Sequence, residues 1–270
     1  MKGRTSLLLN PNIMTPFQQG STMYNQKIGI SVVFPSFNEE ENIERAVRAT
    51  TDVLELIVSD YEIIIVNDAS TDATGDIAES LAEKNGKISV IHHKKNKKLG
   101  GALKTGFAKA SKELVLYSDV DLPFDFMEVS KALRIMEYTG ADIVSAYRHD
   151  RISEGVKRAV YSYIYNAMVR LLFGLRVRDI NFSFKLFKRN ILDRIELVSN
   201  GSFIDAELLI KSQKNGFQIV QMGVDFFPRL RGSSTLSSPS VIFNILSDML
   251  ALLFQYKFKR FLGPENNERG

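Results

Sequence analysis

The alternation of apolar runs with helical segments constrains the fold of this chain more than any other feature. The apolar runs, typical of strands buried on both faces, are 27–37, 61–68, 88–93, 113–121 and 141–148. The segments between them have apolar residues at helical spacing, and the first of these is expected to begin at Asn38 as N-cap. Strands that alternate with helices pair in parallel through right-handed crossovers. We therefore expect an α/β fold, with a mostly parallel central sheet and helices on both faces.

Polar and acidic residues follow four of the predicted strands. The first strand ends in PSFNEE (35–40), the second in NDASTD (67–72), the fourth in SDVD (118–121) and the fifth in YRHD (147–150). The carboxyl ends of parallel strands meet at one edge of a sheet, where ligands of such folds bind. One acidic strand end is a weak signal, but several on the same edge predict a binding site.

The fourth strand end carries two carboxylates, Asp119 and Asp121, separated by one valine. Side chains alternate along an extended chain, so the two carboxylates are expected on the same face. Two oxygen anions at this spacing can hold Mg²⁺ or Mn²⁺, leaving coordination positions for water and substrate phosphates. A solvated turn at the end of a strand is the alternative interpretation.

Several other kinds of site are not supported. The chain has no cysteine, which excludes disulfides, thiolate metal sites and a cysteine nucleophile. No GxGxxG sequence follows a strand, and the spacing of Gly101 and Gly106 is completed by Phe107 where a phosphate loop requires lysine. The three histidines lack zinc-ligand spacing. A net charge of +4 is too mild to predict a nucleic-acid partner.

Four motifs, PSFNEEENI, IIIVNDASTDAT, GGALKTGFA and YSDVDLPFD, occur in an order and spacing that resemble the inverting family 2 glycosyltransferases with the GT-A fold. The closer resemblance, over about 28–256, is to dolichol-phosphate mannose synthases and dolichyl-phosphate glucosyltransferases. It implies transfer of a hexose from GDP-mannose or UDP-glucose to a polyprenyl (dolichyl) phosphate, with Mg²⁺ or Mn²⁺ as cofactor. It also implies a cytoplasmic protein, peripheral to the cytoplasmic face of a membrane.

The resemblance also assigns site residues. The nucleotide pocket is implied to contain Pro35, Phe37, Glu39, Asp68 and Asp119. The metal ligands are implied to be Asp119 and Asp121. Contacts to the acceptor phosphate are implied for Arg148, Arg229, Arg231 and Ser234. Of these, Asp121, Arg148 and Arg229 are the candidate catalytic residues, and Asp179 marks the motif before the acceptor region.

Three positions depart from the family pattern. Phe182-Ser183-Phe184 stands where members often have a Cys-Gly-Phe or Ser-Gly-Phe triplet, and Thr235 where a basic residue is common. Pro123 occupies a place where some mannose synthases have a metal-contacting glutamine. These departures bear on the sugar and on the acceptor.

The nature of the acceptor decides whether the reaction needs a base. A phosphate monoester, with a second pKa of about 6, is mostly ionised at neutral pH and needs only cations to steer it. A hydroxyl acceptor needs a base, for which Asp205 is the best candidate and Glu207 the second. Both could instead complement a helix dipole. A family 2 enzyme that acts on a glycan or small-molecule hydroxyl, and a non-catalytic nucleotide-sugar-binding module, are therefore the alternatives.

The chain is expected to divide into five parts. These are a flexible leader (1–27), a nucleotide-binding half (28–121), an acceptor half (122–237), an amphipathic helix (238–262) and a tail (263–270). In the helix, Asn244, Asp248, Ala251, Gln255 and Lys259 form one polar stripe in otherwise apolar sequence. This pattern predicts packing on the domain together with peripheral contact with a membrane.

Overall fold

The computed structural model describes residues 28–149, 156–227 and 239–262, with backbone alone over 156–159, 239–242 and 257–262. The expected leader and tail therefore lie outside the described residues. So do three of the predicted phosphate-binding residues, Arg229, Arg231 and Ser234, and the departure at Thr235.

Seven strands of the described chain form one sheet. They are β1 (Gly29–Ser36), β2 (Asp60–Asn67), β3 (Ile88–His92), β4 (Leu114–Ser118), β5 (Ile143–Arg148), β6 (Phe184–Lys188) and β7 (Ile219–Val224). Their order across the sheet is β3-β2-β1-β4-β6-β5-β7. Strand β6 runs antiparallel to both of its neighbours, whereas all other neighbouring pairs are parallel. The predicted α/β class with a mostly parallel sheet is confirmed, and β6 and β7 are strands that the alternation did not predict.

Helices cover both faces of this sheet. They are α1 (Ile43–Ile57), α2 (Thr74–Lys84), α3 (Lys98–Lys109), α4 (Glu128–Thr139), α5 (Val156–Phe173), α6 (Ile204–Lys214) and α7 (Pro239–Leu262). Residues of α1, α2 and α4 share one apolar cluster with strand residues such as Val32. Residues of α3, α5, α6 and α7 share a second cluster with the next strand residue, Val33. Successive side chains of each central strand thus point into opposite cores, which explains their continuous apolar sequence.

The glycines of α3 allow close packing. A side chain at Gly106 would collide with Val33 of β1, and one at Gly100 would collide with the backbone of Ser199. The backbone N–H of Gly100 donates to the carbonyl of Asn200, with 2.8 Å between nitrogen and oxygen. The 199–200 loop therefore caps the N-terminus of α3.

Two local expectations were wrong. Helix α1 begins at Ile43 with Asn42 as its N-cap residue, not at Asn38. Asn38 instead adopts a positive φ of 56°, a conformation that asparagine tolerates better than most residues. Strand β4 ends at Ser118, so Asp119 and Asp121 do not continue an extended strand.

Candidate active site

The polar strand ends identified in the sequence lie at one edge of the sheet. Strands β1, β2 and β4 are parallel neighbours, and β5 shares their direction because β6 runs antiparallel to both β4 and β5. Their carboxyl ends therefore face the same side of the molecule. The predicted convergence on one edge follows from this topology.

The loops after β1 and β2 interlock at this edge. The Asn38 backbone N–H donates to Ser70 Oγ (3.0 Å), and its side-chain oxygen accepts from the Thr71 N–H (2.9 Å). The Glu39 N–H donates to Thr74 Oγ1 at the start of α2 (2.7 Å). The position of Asn38 is thus set by contacts with the neighbouring loop, which are invisible to a helix-capping pattern.

The residues predicted to line a nucleotide pocket follow β1 and β2. Pro35 is half-buried and Phe37 is exposed. Glu39 is half-buried, and its carboxylate accepts a hydrogen bond from the Asn42 side chain (2.7 Å). Asp68 is buried, and the imidazole of His93 lies 2.6 Å from its Oδ1. These side chains thus lie at the ends of two adjacent strands, and they differ in burial and in their hydrogen-bond partners.

Asp119 and Asp121 lie in a turn that follows β4. The Leu122 N–H donates to the Asp119 carbonyl (3.3 Å), and Leu122 has a φ of 46°. Asp119 is half-buried and its Oδ1 accepts a hydrogen bond from the Tyr117 hydroxyl (3.3 Å), whereas Asp121 is 8% exposed. The turn, rather than an extended strand, therefore sets the positions of the two carboxylates. Burial raises the pKa of Tyr117 well above its usual value, and Asp119 and Asp121 add to that shift.

Asp205 lies in the first turn of α6, beneath this edge of the sheet, and is 3% exposed. Its Oδ1 is 2.6 Å from Nζ of Lys185, which is completely buried in β6. The ammonium also donates to the Phe182 carbonyl (2.7 Å) and lies 5.4 Å from the ring centre of Tyr117. Lys185 pairs in register with Tyr117 across β4 and β6, so the sheet itself places the ammonium under the acidic turn.

Electrostatics connect these groups. Burial raises the pKa of Asp205 to about 6; Lys185 opposes the shift, and the charges of Asp119 and Asp179 add to it. Glu207, two residues along α6, behaves differently. Burial tends to raise its pKa, but hydrogen bonds from Lys211 and from two backbone N–H groups outweigh that effect and lower it. The carboxylate of Glu207, the second base candidate, thus holds the loop before α6.

Arg148 at the end of β5 is paired with the buried Asp179. Its Nε and one terminal nitrogen donate to the two carboxylate oxygens, at 2.7 and 3.1 Å. The guanidinium carbon also lies 5.7 Å from the ring centre of Phe182 and 5.2 Å from that of Phe226. A two-point ion pair between aromatic rings fixes the direction of the arginine.

The departure from the family triplet has a structural role. The ring of Phe182 packs edge-on against Phe124 and Phe226, with centroids 6.0 and 6.5 Å apart, and Phe184 contacts Phe124 at 4.9 Å. Phe124 follows directly after Pro123, which is buried. Two of the sequence departures thus belong to one packed wall beside Arg148.

The residues after β4 fit a divalent cation. The named contacts bring together four carboxylates, those of Asp119, Asp121, Asp179 and Asp205, and two paired cations, Arg148 and Lys185. The excess of negative charge suits an ion such as Mg²⁺ or Mn²⁺, which is bound by carboxylate oxygens together with substrate phosphates. No group of three or more acidic or histidine side chains in the described ranges forms a metal site by itself. Asp119 and Asp121 could therefore hold a cation whose remaining ligands come from water and a diphosphate.

Two residues of the site were missed in the sequence, Lys185 and His93. A lysine in FKLFK suggests an exposed strand position, and its acidic partner Asp205 is 20 residues away in the sequence. His93 is the last residue of the third predicted strand, but its contact with Asp68 depends on the pairing of β3 with β2. In both cases the partner is known only from the tertiary structure.

The parallel sheet with one antiparallel strand, and the acidic turn at its edge, define a GT-A-type transferase fold. A crystal structure of glucosyl-3-phosphoglycerate synthase from Mycobacterium tuberculosis, with Mn²⁺, UDP and glucosyl-3-phosphoglycerate, has the same fold, with a TM-score of 0.64 and 21% identity. The similarity covers 83% of this chain and 79% of that one.

Sequence comparison identifies the family. The profile of Glycosyl transferase family 2 matches residues 31–196, and the chain belongs to this family. Glycosyltransferase AglD of Haloferax volcanii is 34% identical over 75% of this chain, which spans only 34% of that relative's length. Polyprenol monophosphomannose synthase of Mycolicibacterium smegmatis is 26% identical over 78% of this chain and 82% of its own. The resemblance stated from the motifs is confirmed at the level of the family.

Proposed function

We propose that this protein is a metal-dependent inverting glycosyltransferase that moves a hexose, mannose or glucose, from a nucleoside-diphosphate sugar to a polyprenyl (dolichyl) phosphate. The acidic turn after β4, at the same edge of the sheet as Asp68 after β2 and Arg148 at the end of β5, is the observation that carries the proposal. The similarity to a polyprenol monophosphomannose synthase supports the acceptor class. GDP-mannose and UDP-glucose are the candidate donors.

The donor would lie across the edge of the sheet. Pro35, Phe37 and Glu39 would line the nucleotide pocket, and Asp68 would accept a hydrogen bond from the base. Asp119 would contact the ribose or the metal, and Asp121 would be a metal ligand. A bound Mg²⁺ or Mn²⁺ stabilises the negative charge that develops on a leaving diphosphate.

The acceptor phosphate would be steered by cations. Arg148 is held toward the edge of the sheet by Asp179 and two phenylalanine rings, so it is oriented before substrate arrives. Arg229, Arg231 and Ser234 are proposed to contact the same phosphate. A preorganised cation stabilises the transition state more effectively than one that must reorient.

The environment of Asp205 favours a phosphate acceptor. Its carboxylate is 3% exposed and ion-paired with a completely buried lysine. To take a proton from a hydroxyl, the carboxylate would have to break its contact with Lys185 or contact the hydroxyl and the lysine at the same time. A phosphate acceptor is already ionised and makes no such demand. Asp205 would then act by shaping the charge beneath the acidic turn.

A panel of nucleotide sugars, with Mn²⁺ or Mg²⁺, tests the proposal. We expect radiolabelled hexose to enter the organic phase only when polyprenyl phosphate is added. Asp121→Asn is expected to lower turnover about 100-fold or more, because a single neutral group replaces a metal-binding anion. Asp125→Asn, at an exposed aspartate four residues further on, is the matched control and should keep full activity. Equal transfer by the two variants would contradict the assigned metal site.

A hydroxyl acceptor is the second candidate, because burial gives Asp205 a pKa of about 6, suitable for a base near neutral pH. Asp205→Asn separates the two candidates. A phosphate acceptor predicts that the variant retains most of its turnover, provided it is folded. Turnover without lipid, lost in Asp205→Asn, would support the hydroxyl acceptor. Nucleotide-sugar binding without turnover on any acceptor would support a non-catalytic module.

We propose that the protein contacts a membrane peripherally, on its cytoplasmic face, through α5 and α7. On α7, Phe243, Leu246, Leu250 and Phe254 form an exposed apolar stripe, while Met249 and Leu252 pack into the core. On α5, the exposed apolar residues include Val160, Ile164 and Leu171. Among the described residues, no helix is long and apolar enough to cross a bilayer. The basic sequence that ends α7 would attract anionic headgroups.

Sedimentation with acidic liposomes tests the membrane contact. We expect the protein to sediment with vesicles that contain anionic lipid, and Phe243→Ser combined with Phe254→Ser to reduce the sedimented fraction. Leu56→Ser, which removes an equally exposed apolar residue of α1, is the control. If both variants sediment like the wild-type protein, α7 is not the contact.

Each part of the chain has a proposed function. We propose that 28–121 is the nucleotide-binding half and 122–237 the acceptor half, with 238–262 as the helix at the membrane. The segments 1–27 and 263–270 are proposed to lie outside the catalytic domain.

A further inference from the structure

A buried histidine contacts the aspartate that is proposed to recognise the nucleotide base. His93 follows directly after β3, and its backbone N–H donates to the carbonyl of Asn67 in β2 (2.9 Å). Its Nδ1 is 2.6 Å from Asp68 Oδ1, and both side chains are at most 4% exposed. A carboxylate only accepts hydrogen bonds at neutral pH, so Nδ1 carries the proton of this contact.

The same carboxylate oxygen accepts a second hydrogen bond. The backbone N–H of Lys97 donates to Asp68 Oδ1 at 2.8 Å. Two donors on one oxygen fix the plane of the carboxylate, since rotation would break both contacts. Among the described residues, both of these hydrogen bonds fall on Oδ1, so Oδ2 keeps its capacity to accept a further hydrogen bond.

The second ring nitrogen of His93 also has a contact, on the side away from Asp68 along the ring. Its Nε2 lies 2.9 Å from Thr105 Oγ1 on α3, and that hydroxyl lies 3.1 Å from the Gly101 carbonyl. Both ring nitrogens are thus engaged, and the ring cannot turn without losing a contact. The chain of contacts runs from the helix through the histidine to the strand end.

We propose that His93 is a positioning residue for nucleotide recognition. It holds Asp68 Oδ1 so that Oδ2 faces an N–H donor on the edge of the donor's base, as uracil and guanine both carry. The inference rests on the proposed nucleotide-sugar site, but it assigns a role to a side chain that the reaction itself does not use.

Two neutral substitutions separate the contacts of this histidine. In His93→Asn, the amide nitrogen can take the place of Nδ1 and still donate to Asp68. In His93→Gln, the longer side chain places its amide nearer the position of Nε2 and the Asp68 contact is lost. Thr105→Val removes the hydroxyl that contacts Nε2 and leaves the imidazole of His93 in the protein.

Calorimetric titration with UDP and GDP in the presence of Mn²⁺ provides the measurement. For whichever nucleotide the wild-type protein binds, we expect Kd to rise about 10-fold in His93→Gln, the loss typical of a hydrogen bond to a charged group. His93→Asn should stay within about 3-fold of the wild-type protein, and Thr105→Val should fall between the two variants. In turnover assays, His93→Gln should raise the donor KM with little change in kcat, because the lost contact is the same in ground and transition states.

Titration with Mn²⁺ and pyrophosphate separates positioning from general stability. Pyrophosphate has no base, so its affinity should be equal in the wild-type protein and His93→Gln, with circular dichroism checking that each variant is folded. An equal loss of affinity for pyrophosphate and for the nucleotide would overturn this inference but leave the proposed function standing. An unchanged nucleotide affinity in His93→Gln would do the same. If His93→Gln does not fold, unchanged nucleotide affinity in Thr105→Val would overturn it. If the wild-type protein binds neither UDP nor GDP, the proposed function falls and this inference falls with it.

Discussion

The two halves of the molecule hold their buried acids in different ways. In the first half, Asp68 is held by an imidazole and a backbone N–H, and Glu62 by the hydroxyl of Ser31 and the N–H and hydroxyl of Ser111. In the second half, Asp205 is paired with a buried ammonium and Asp179 with a guanidinium.

The difference has a physical consequence. Hydrogen bonds from backbone N–H and hydroxyl groups fix the direction of a carboxylate without bringing a full positive charge to it, which suits recognition of a donor group. Buried ion pairs compensate the charge, but each partner then depends on the other. The first half is therefore suited to reading a base, and the second to balancing charge beneath a metal and phosphates.

The largest expected effect comes from removing the buried cation of the second half. Lys185→Met leaves Asp205 buried without its partner and close to other carboxylates, and should lower the free energy of unfolding by about 3–5 kcal/mol. Urea denaturation followed by circular dichroism measures this loss. Combining it with Asp205→Leu removes both charges and should restore much of the stability. A double variant as unstable as Lys185→Met would mean that the ion pair is not the cause.

The sequence predicts the first half of the molecule better than the second. Apolar runs and helical spacing identified β1 to β5 because each core strand is buried on both faces, and the polar strand ends followed from parallel pairing. Strand β6 could not be predicted in this way, because it is inserted between β4 and β5 from a distant segment and carries a buried lysine. A charged residue that finds its partner only in the folded state leaves no local signal.

The same limit applied to the candidate site. Asp119 and Asp121 were found as two carboxylates after an apolar run, whereas Asp68 and Arg148 were assigned by the resemblance. The contacts of Asp68 with His93 and of Arg148 with Asp179 join residues 25 and 31 positions apart, so no local pattern shows them. Lys185 likewise meets Asp205 only in the folded chain. The turn after β4 was also not predicted, since the strand ends at Ser118 and Leu122 in the turn has a positive φ.

Asp205 in the second half and Glu62 in the first should contribute to the pH dependence of stability with opposite signs. Burial raises the pKa of Asp205 from 3.8 to about 6. Between these pH values the folded state keeps a proton that the unfolded state has lost. Its contribution to stability is therefore full below about pH 4 and falls by about 1–3 kcal/mol as the pH rises to about 6. Urea denaturation from pH 4 to 7 in EDTA measures this change, and Asp205→Asn should remove it.

Glu62 should act in the other direction, with a smaller effect. Burial tends to raise its pKa, but hydrogen bonds from Ser31 and Ser111 outweigh burial and lower it below its ordinary value of 4.5. The folded state then releases its proton more readily than the unfolded state. Its contribution is present above pH 4.5 and is lost as the pH falls through the folded value. Glu62→Gln should cost about 1 kcal/mol at pH 7 and less at acid pH. A loss that grows on acidification would contradict this sign.

The smallest effect should come from a second ion pair of β6, which sharpens the comparison within one strand. Lys188 Nζ is 2.9 Å from Asp142 Oδ1, much like the distance in the buried pair, but its side chain is 37% exposed. Water solvates both partners when the contact breaks, so Lys188→Met should lower the free energy of unfolding by less than about 1 kcal/mol. Urea denaturation beside Lys185→Met gives the difference directly. Because the two substitutions are identical and three residues apart, equal losses would show that strand β6 tolerates methionine poorly at either site. A large difference would assign the cost to burial of the unpaired aspartate.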